Sequence, residues 1–129
     1  MNNQLHASIS IRIFTDKKCF GPGIATLLHR IDECHSLRAA ALSMEMAYSK
    51  AWTVLRSCED ALGFKLITST TGGKHGGGAI LTDEGRIILT AYDEFCAELR
   101  QEADKLFEEK FSFYPNLSGN RNTNGGTDK

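Results

Sequence analysis

Apolar and polar positions recur with two different periods along this chain, and the places where the period changes mark its elements. From Ser8 to Thr15 the alternation is two-fold, with Ile9, Ile11 and Ile13 on one side, which predicts a strand. Asp16-Lys17-Lys18 predicts a turn, and Cys19-Phe20 a short returning strand. Gly21-Pro22-Gly23 breaks the chain, with Pro22 suited to the first turn of a helix. The spacing then lengthens to three and four. Ile24, Leu27, Leu28 and Ile31 predict a helix from Ile24 to Cys34, with His29 and Glu33 as a surface pair one turn apart. Ser36 suits the N-cap of a second helix whose inward positions are Leu37, Ala40, Ala41 and Met44.

A third helix is predicted from Tyr48 to Leu62. At about 100° per residue, Ala51, Val54, Leu55, Cys58 and Leu62 share one side of it. Ser49, Lys50, Thr53, Arg56 and Ser57 share the other, with Tyr48 and Trp52 at the boundary. No glycine stands in the turn before this helix, where positive φ is expected, and Ala47 is a poor N-cap. Gly63 suits the position that ends the helix. Phe64, Leu66 and Ile67 begin a strand, and Ala79 to Thr82 return it. Between them lies the glycine-rich stretch Ser69 to Ala79, with Lys74 and His75 at its centre. Thr82 or Asp83 caps a long helix, about Asp83 to Lys110, on which Ile88, Tyr92, Phe95, Leu99, Ala103 and Leu106 recur almost as a coiled-coil seam. Phe111 to Tyr114 ends the apolar pattern before Pro115, and Asn116 to Lys129 is polar and rich in Gly and Asn, which predicts disorder.

These elements make a mainly α fold with a small β component: a winged helix-turn-helix with an N-terminal β-hairpin and a long C-terminal dimerisation helix. The expected organisation is a flexible N-terminus over 1–7, a DNA-binding domain over 8–82, the dimerisation helix over 83–111 and a disordered tail over 112–129.

Charge sharpens that picture. Met1 to Thr82 carries 9 Lys and Arg against 6 Asp and Glu, a net +3, whereas Asp83 to Phe111 carries 4 against 9, a net −5. A module this weakly basic holds a polyanion better as a dimer, which doubles the phosphate contacts. The four cysteines are far apart with no C-x-x-C pair, as expected of reduced thiols in a cytosolic protein. Cys34, His35, Cys58 and His29 match no zinc spacing, so no metal or other cofactor is expected. Neither G-x-x-x-x-G-K-[ST] nor G-x-G-x-x-G occurs in the glycine-rich stretch, which argues against a nucleotide loop. No run is long and apolar enough for a membrane span, no secretory signal opens the chain, and no catalytic set is recognisable. The expectation is a cytoplasmic protein that is not an enzyme and has no membrane partner.

Several motifs together resemble the N-terminal DNA-binding domain of ModE-type molybdate-responsive regulators, over about Ile9 to Phe107. They are Gly21-Pro22-Gly23 with Leu27-Leu28 and Ile31, Ser36-Leu37 with Ala40-Ala41, and Tyr48-Ser49-Lys50-Ala51-Trp52. Thr71-Gly72-Gly73-Lys74, Gly76-Gly77-Gly78-Ala79, and Leu81-Thr82 with Gly85 complete the set. The frame from Leu62 to Gly85 is also similar to LysR-type regulators. The resemblance implies a winged helix that dimerises through its helices, with Tyr48 to Arg56 in the major groove and the wing on the backbone or minor groove. It departs from the family at Glu45 and Ala47, where a small turn residue and a polar cap are usual. Family members carry molybdate-binding domains after the long helix; the polar tail predicts none here, so no direct response to molybdate is expected.

The expected DNA contacts are Tyr48, Ser49, Lys50, Thr53 and Arg56 in the groove, and Ser36, Arg38, Thr71, Lys74 and His75 on phosphates or through the wing. The expected homodimer seam is Ile88, Tyr92, Phe95, Leu99 and Leu106. The expected partner is double-stranded DNA, recognised sequence-specifically to regulate transcription. A rival reading makes the winged helix a protein-interaction module that works with a separate sensor protein or heterodimerises with a full-length regulator.

Overall fold

The computed structural model describes residues 4–70 and 78–119. Its elements run in the order β1 (Ile13–Phe14), β2 (Lys18–Phe20), α1 (Pro22–Cys34), α2 (Leu37–Ser43), α3 (Tyr48–Leu62), β3 (Ile67–Thr70), β4 (Gly78–Leu81) and α4 (Asp83–Phe111). The winged helix-turn-helix expected from the pattern is the fold observed. The chain divides into two compact units, Ser10–Phe95 and Met1–Ile9 with Cys96–Lys129.

In the first unit the apolar stripe of α1 forms the centre. Leu27, Leu28 and Ile31 are fully buried, with Phe20, Ala40, Ala41, Ala51 and Leu66. Pro22 opens α1 at a position where a missing N–H costs nothing. His35 ends it in the left-handed region at φ 59°, its N–H donating to the Ile31 carbonyl at 2.7 Å. Ser36 caps α2, its hydroxyl accepting from the Ala39 N–H at 3.0 Å. Alanines at 40 and 41 let α2 lie close on its neighbours. In the turn before α3 the left-handed residue is Glu45, at φ 55°. The chain bend that glycine usually makes is made here by a residue with a Cβ, at a cost of about 1 kcal/mol.

β3 and β4 pair antiparallel in strict register, from Ile67 opposite Leu81 to Thr70 opposite Gly78. β3 starts at Ile67, later than the expected Phe64, because the Leu66 N–H is taken by the Glu59 carboxylate. Thr82 leaves the ladder to cap α4: its hydroxyl accepts from the Gly85 N–H at 2.9 Å and donates to the Lys65 carbonyl at 2.7 Å. Gly85 lies directly on the Leu66 backbone, and a Cβ there would overlap the Leu66 carbonyl.

The N-terminal strand is shorter than the Ser8 to Thr15 alternation predicts. Only Ile13–Phe14 pairs, because its partner is three residues long before Gly21-Pro22 ends it. Ile9, outside the paired segment, is exposed, and Ile13 is exposed although it pairs with Phe20. His29 does not pair with Glu33; its Nε2 lies 2.7 Å from Oδ2 of Asp93 on α4. Arg86 of α4 donates two hydrogen bonds to Asp32 of α1, at 2.9 and 3.2 Å, and its guanidinium holds the Asp32 carboxyl below its ordinary value of 3.8.

Tyr92 corrects the expected dimer seam. It lies three residues after Leu89, on the inner stripe of α4, and both are buried. Its ring meets Phe20 edge-on at 5.0 Å, and its hydroxyl donates to the Ile11 carbonyl at 2.7 Å. It is committed to the core of its own chain.

In the second unit, α4 continues to Phe111, where Phe107 and Phe111 stack at 4.8 Å. Pro115–Gly119 closes one π-helical turn, inside the stretch 112–129 expected to be disordered.

Candidate nucleic-acid interface

Helix α3 occupies the span that its periodicity predicts, Tyr48–Leu62. Ala51, Leu55 and Cys58 are buried, and Val54 and Leu62 are half-buried. Tyr48, Ser49, Lys50, Thr53, Arg56 and Ser57 are all exposed, so the expected groove residues share one open helix surface. Lys50 and Arg56 have no carboxylate partner among the described residues. Their charges are therefore available to an outside anion.

Glu59 does not belong to that surface. It is 6% exposed, and its Oε2 accepts from the N–H groups of Leu66 at 2.8 Å and Ile67 at 3.4 Å. The carboxyl group thereby fixes the start of the wing strand to the last turns of α3. A polar group buried at this depth is accommodated because its oxygen is used by donors that would otherwise be orphaned. Helical arithmetic alone was a clue, since Glu59 falls one turn beyond Leu55, next to the buried side.

Between α3 and the wing lies a cleft of about 730 Å³. Ser36 and Arg38 of α2, Tyr48, Trp52 and Arg56 of α3, and Thr68 and Ser69 of β3 line it. Two cations are held on its aromatic wall. The Arg38 guanidinium sits 4.2 Å from the Tyr48 ring centroid, and that of Arg56 sits 4.9 Å from the Trp52 ring. Attraction to the ring faces holds both charges at the cleft wall, where they suit contacts to phosphate or base. Trp52 and Lys65 belong to this cleft, although the sequence pattern did not single them out as site residues. Ser36 lies on the rim with its hydroxyl already engaged as the α2 cap. Thr53 is placed on the opposite flank of α3, away from the cleft. Thr71, Lys74 and His75 lie outside the described residues.

Backbone contacts set the base of the wing. The Ala79 N–H donates to the His35 carbonyl at 3.0 Å, joining β4 to the corner between α1 and α2. Cys58, on the inner side of α3, donates its S–H to the Cys19 carbonyl. Burial pushes its thiol up to about 12, helped by the nearby Cys19 and Glu59. Buried and held protonated, this thiol packs as a small apolar group. No cluster of His, Cys, Asp or Glu among the described residues is arranged to hold a metal. No helix among them is long and apolar enough to cross a membrane.

Two helices meeting at a tight corner, followed by a two-stranded wing pinned to the second helix, define a winged helix-turn-helix of the DNA-binding class. Residues 25–86 match the family model described as "Bacterial regulatory helix-turn-helix protein, lysR family", and the chain carries that regulator domain. The match runs from within α1 to the first turn of α4. The chain is 36% identical over 66 residues to the molybdenum-pterin-binding protein MopB of Rhodobacter capsulatus, covering 51% of this chain and 24% of that one. It is 35% identical over 72 residues to the transcriptional regulator ModE of Haemophilus influenzae, covering 56% and 28%. Against the DNA-binding transcriptional dual regulator ModE of Escherichia coli K12 it is 30% identical over 100 residues, covering 77% and 38%. The aligned chain thus spans about a quarter to two fifths of the length of these relatives.

Proposed function

We propose that the chain is a ModE-like regulator that binds duplex DNA sequence-specifically as a homodimer. The observation that supports this most is the open polar surface of α3, where Lys50 and Arg56 have no carboxylate partner among the described residues, beside a wing fixed to the same helix. In this reading Ser49, Lys50, Thr53 and Arg56 meet base edges in the major groove, where hydrogen-bond patterns differ for each pair. Arg38 meets phosphate, and Thr71, Lys74 and His75 carry the wing contact. The dimer forms along α4, where Phe95 is 50%, Leu99 39% and Leu106 55% exposed at spacings of four and seven. Large apolar side chains left in water at that spacing suit a second copy of the helix. Ile88 flanks the seam half-buried.

The test is a fluorescence-anisotropy titration against a duplex of the protein's own upstream region and a scrambled duplex, across several salt concentrations. Tighter, salt-dependent binding to the upstream duplex is the expected result. Weak and equal binding to both would overturn the reading. It would favour an interaction module that pairs with a separate sensor protein.

A further inference from the structure

The wing and the α2 corner serve only one flank of α3. The other flank faces the N-terminal hairpin, across a hollow of about 450 Å³. Arg12 and Lys18 supply its charge, Thr53 and Ser57 of α3 supply hydroxyls, and Gly21-Pro22-Gly23 forms its end. No residue of α3 lines both this hollow and the wing cleft. We infer that Arg12 and Lys18 form a second phosphate clamp, which grips the DNA strand on the side of the reading helix away from the wing.

This inference rests on the DNA-binding reading above and extends it to a surface that neither the helix-turn-helix nor the wing supplies. An α-helix with its side chains is about 10–12 Å across and the major groove about 12 Å wide, so both flanks of a reading helix meet a backbone. A single clamped flank leaves the helix able to roll in the groove. Phosphate contacts on both sides fix its register, which is how such contacts support base readout without reading sequence themselves.

The hairpin is suited to the role in three ways. Arg12 and Lys18 are exposed, and neither has a carboxylate partner among the described residues. The stem of Arg12 lies against Gly21, where a Cβ would sit 3.2 Å from its Cγ, and its guanidinium donates to the Ser10 hydroxyl at 2.7 Å. The stem thus rests at the start of α1, and the head group is bonded to Ser10. Phe20 and Cys19 of β2 are buried, and Cys58 of α3 donates to the Cys19 carbonyl, so the hairpin is fastened to the helix it flanks.

The test compares the parent protein with R12Q/K18Q, and with K105Q as a control for loss of charge elsewhere. Each phosphate released changes the slope of log K against log salt by about 0.9. The double variant removes two contacts from each protomer, four from the dimer, and is expected to flatten the slope by about 3.6 on upstream and scrambled duplexes alike. R12K/K18R is expected to restore it. Hydroxyl-radical footprinting is expected to show lost protection on one strand flank only, with the wing flank unchanged. A double variant whose slope and footprint match those of K105Q would overturn the clamp while leaving the DNA-binding reading intact. A parent protein that binds no duplex would fail that reading itself.

Discussion

At its C-terminal end α3 is tied down by several groups at once, whereas at its N-terminal end it begins with almost none. The far end carries Glu59, which holds the Leu66 and Ile67 N–H groups, and Gly63 at φ 88°, whose N–H donates to the Glu59 carbonyl at 2.8 Å. Thr82 and Gly85 then lock the wing strand to α4. The near end starts at Ala47, with no side-chain cap, after a left-handed Glu45. The difference shows where this domain concentrates its bonds: in the joint between α3 and the wing strands, away from the N-terminal end of α3.

That contrast is broken most severely at Glu59. Replacement by Leu leaves two backbone donors facing a carbon side chain, and buried donors without partners cost about 1–3 kcal/mol. Glu59→Leu is expected to lower stability by about 3 kcal/mol in urea unfolding, with Glu59→Gln losing less than half as much. The Thr82 joint comes next. Thr82→Val keeps the shape and removes both hydroxyl bonds, and is expected to cost about 1–2 kcal/mol in the same assay. The loose end gives the opposite sign. Ala47→Ser supplies the missing cap and is expected to stabilise by about 1 kcal/mol, seen as a higher melting temperature. Glu45→Gly is expected to add a similar amount by relieving the positive φ.

The smallest expected effect lies outside this comparison, in the Asp32–Arg86 pair, which is partly exposed and so screened by solvent. The folded state depresses the Asp32 carboxyl, so the pair stabilises above the ordinary carboxylate range and is lost as pH falls below about 3.8. Asp32→Asn is expected to leave stability nearly unchanged at neutral pH and to flatten slightly its decline on acidification, in melting curves taken from pH 6 to 2.

The helices were legible because their signals are local. The apolar spacing of Ile24, Leu27, Leu28 and Ile31, the Ser36 cap and Gly63 each act within a turn of themselves. The face of α3 followed from 100° arithmetic alone. What stayed hidden depends on partners distant in sequence. Glu59 falls beside the buried side of α3 by arithmetic, but its task shows only when the Leu66 N–H folds onto it. Tyr92 fits a coiled-coil seam until Phe20 and the Ile11 carbonyl claim it. His29 sits one turn from Glu33, but Asp93, 64 residues away, takes it. The alternation from Ser8 to Thr15 promises a long strand, yet a strand is only as long as its partner, and β2 has three residues.

The most direct test of the account is to map the amide chemical shifts of the isotope-labelled protein as its upstream duplex is added. The account predicts that Tyr48 to Arg56 shift most, joined by Arg38 and the wing, while Leu99 to Phe111 stay fixed. Shifts confined to the end of α4, with the polar face of α3 unmoved at saturation, would contradict it.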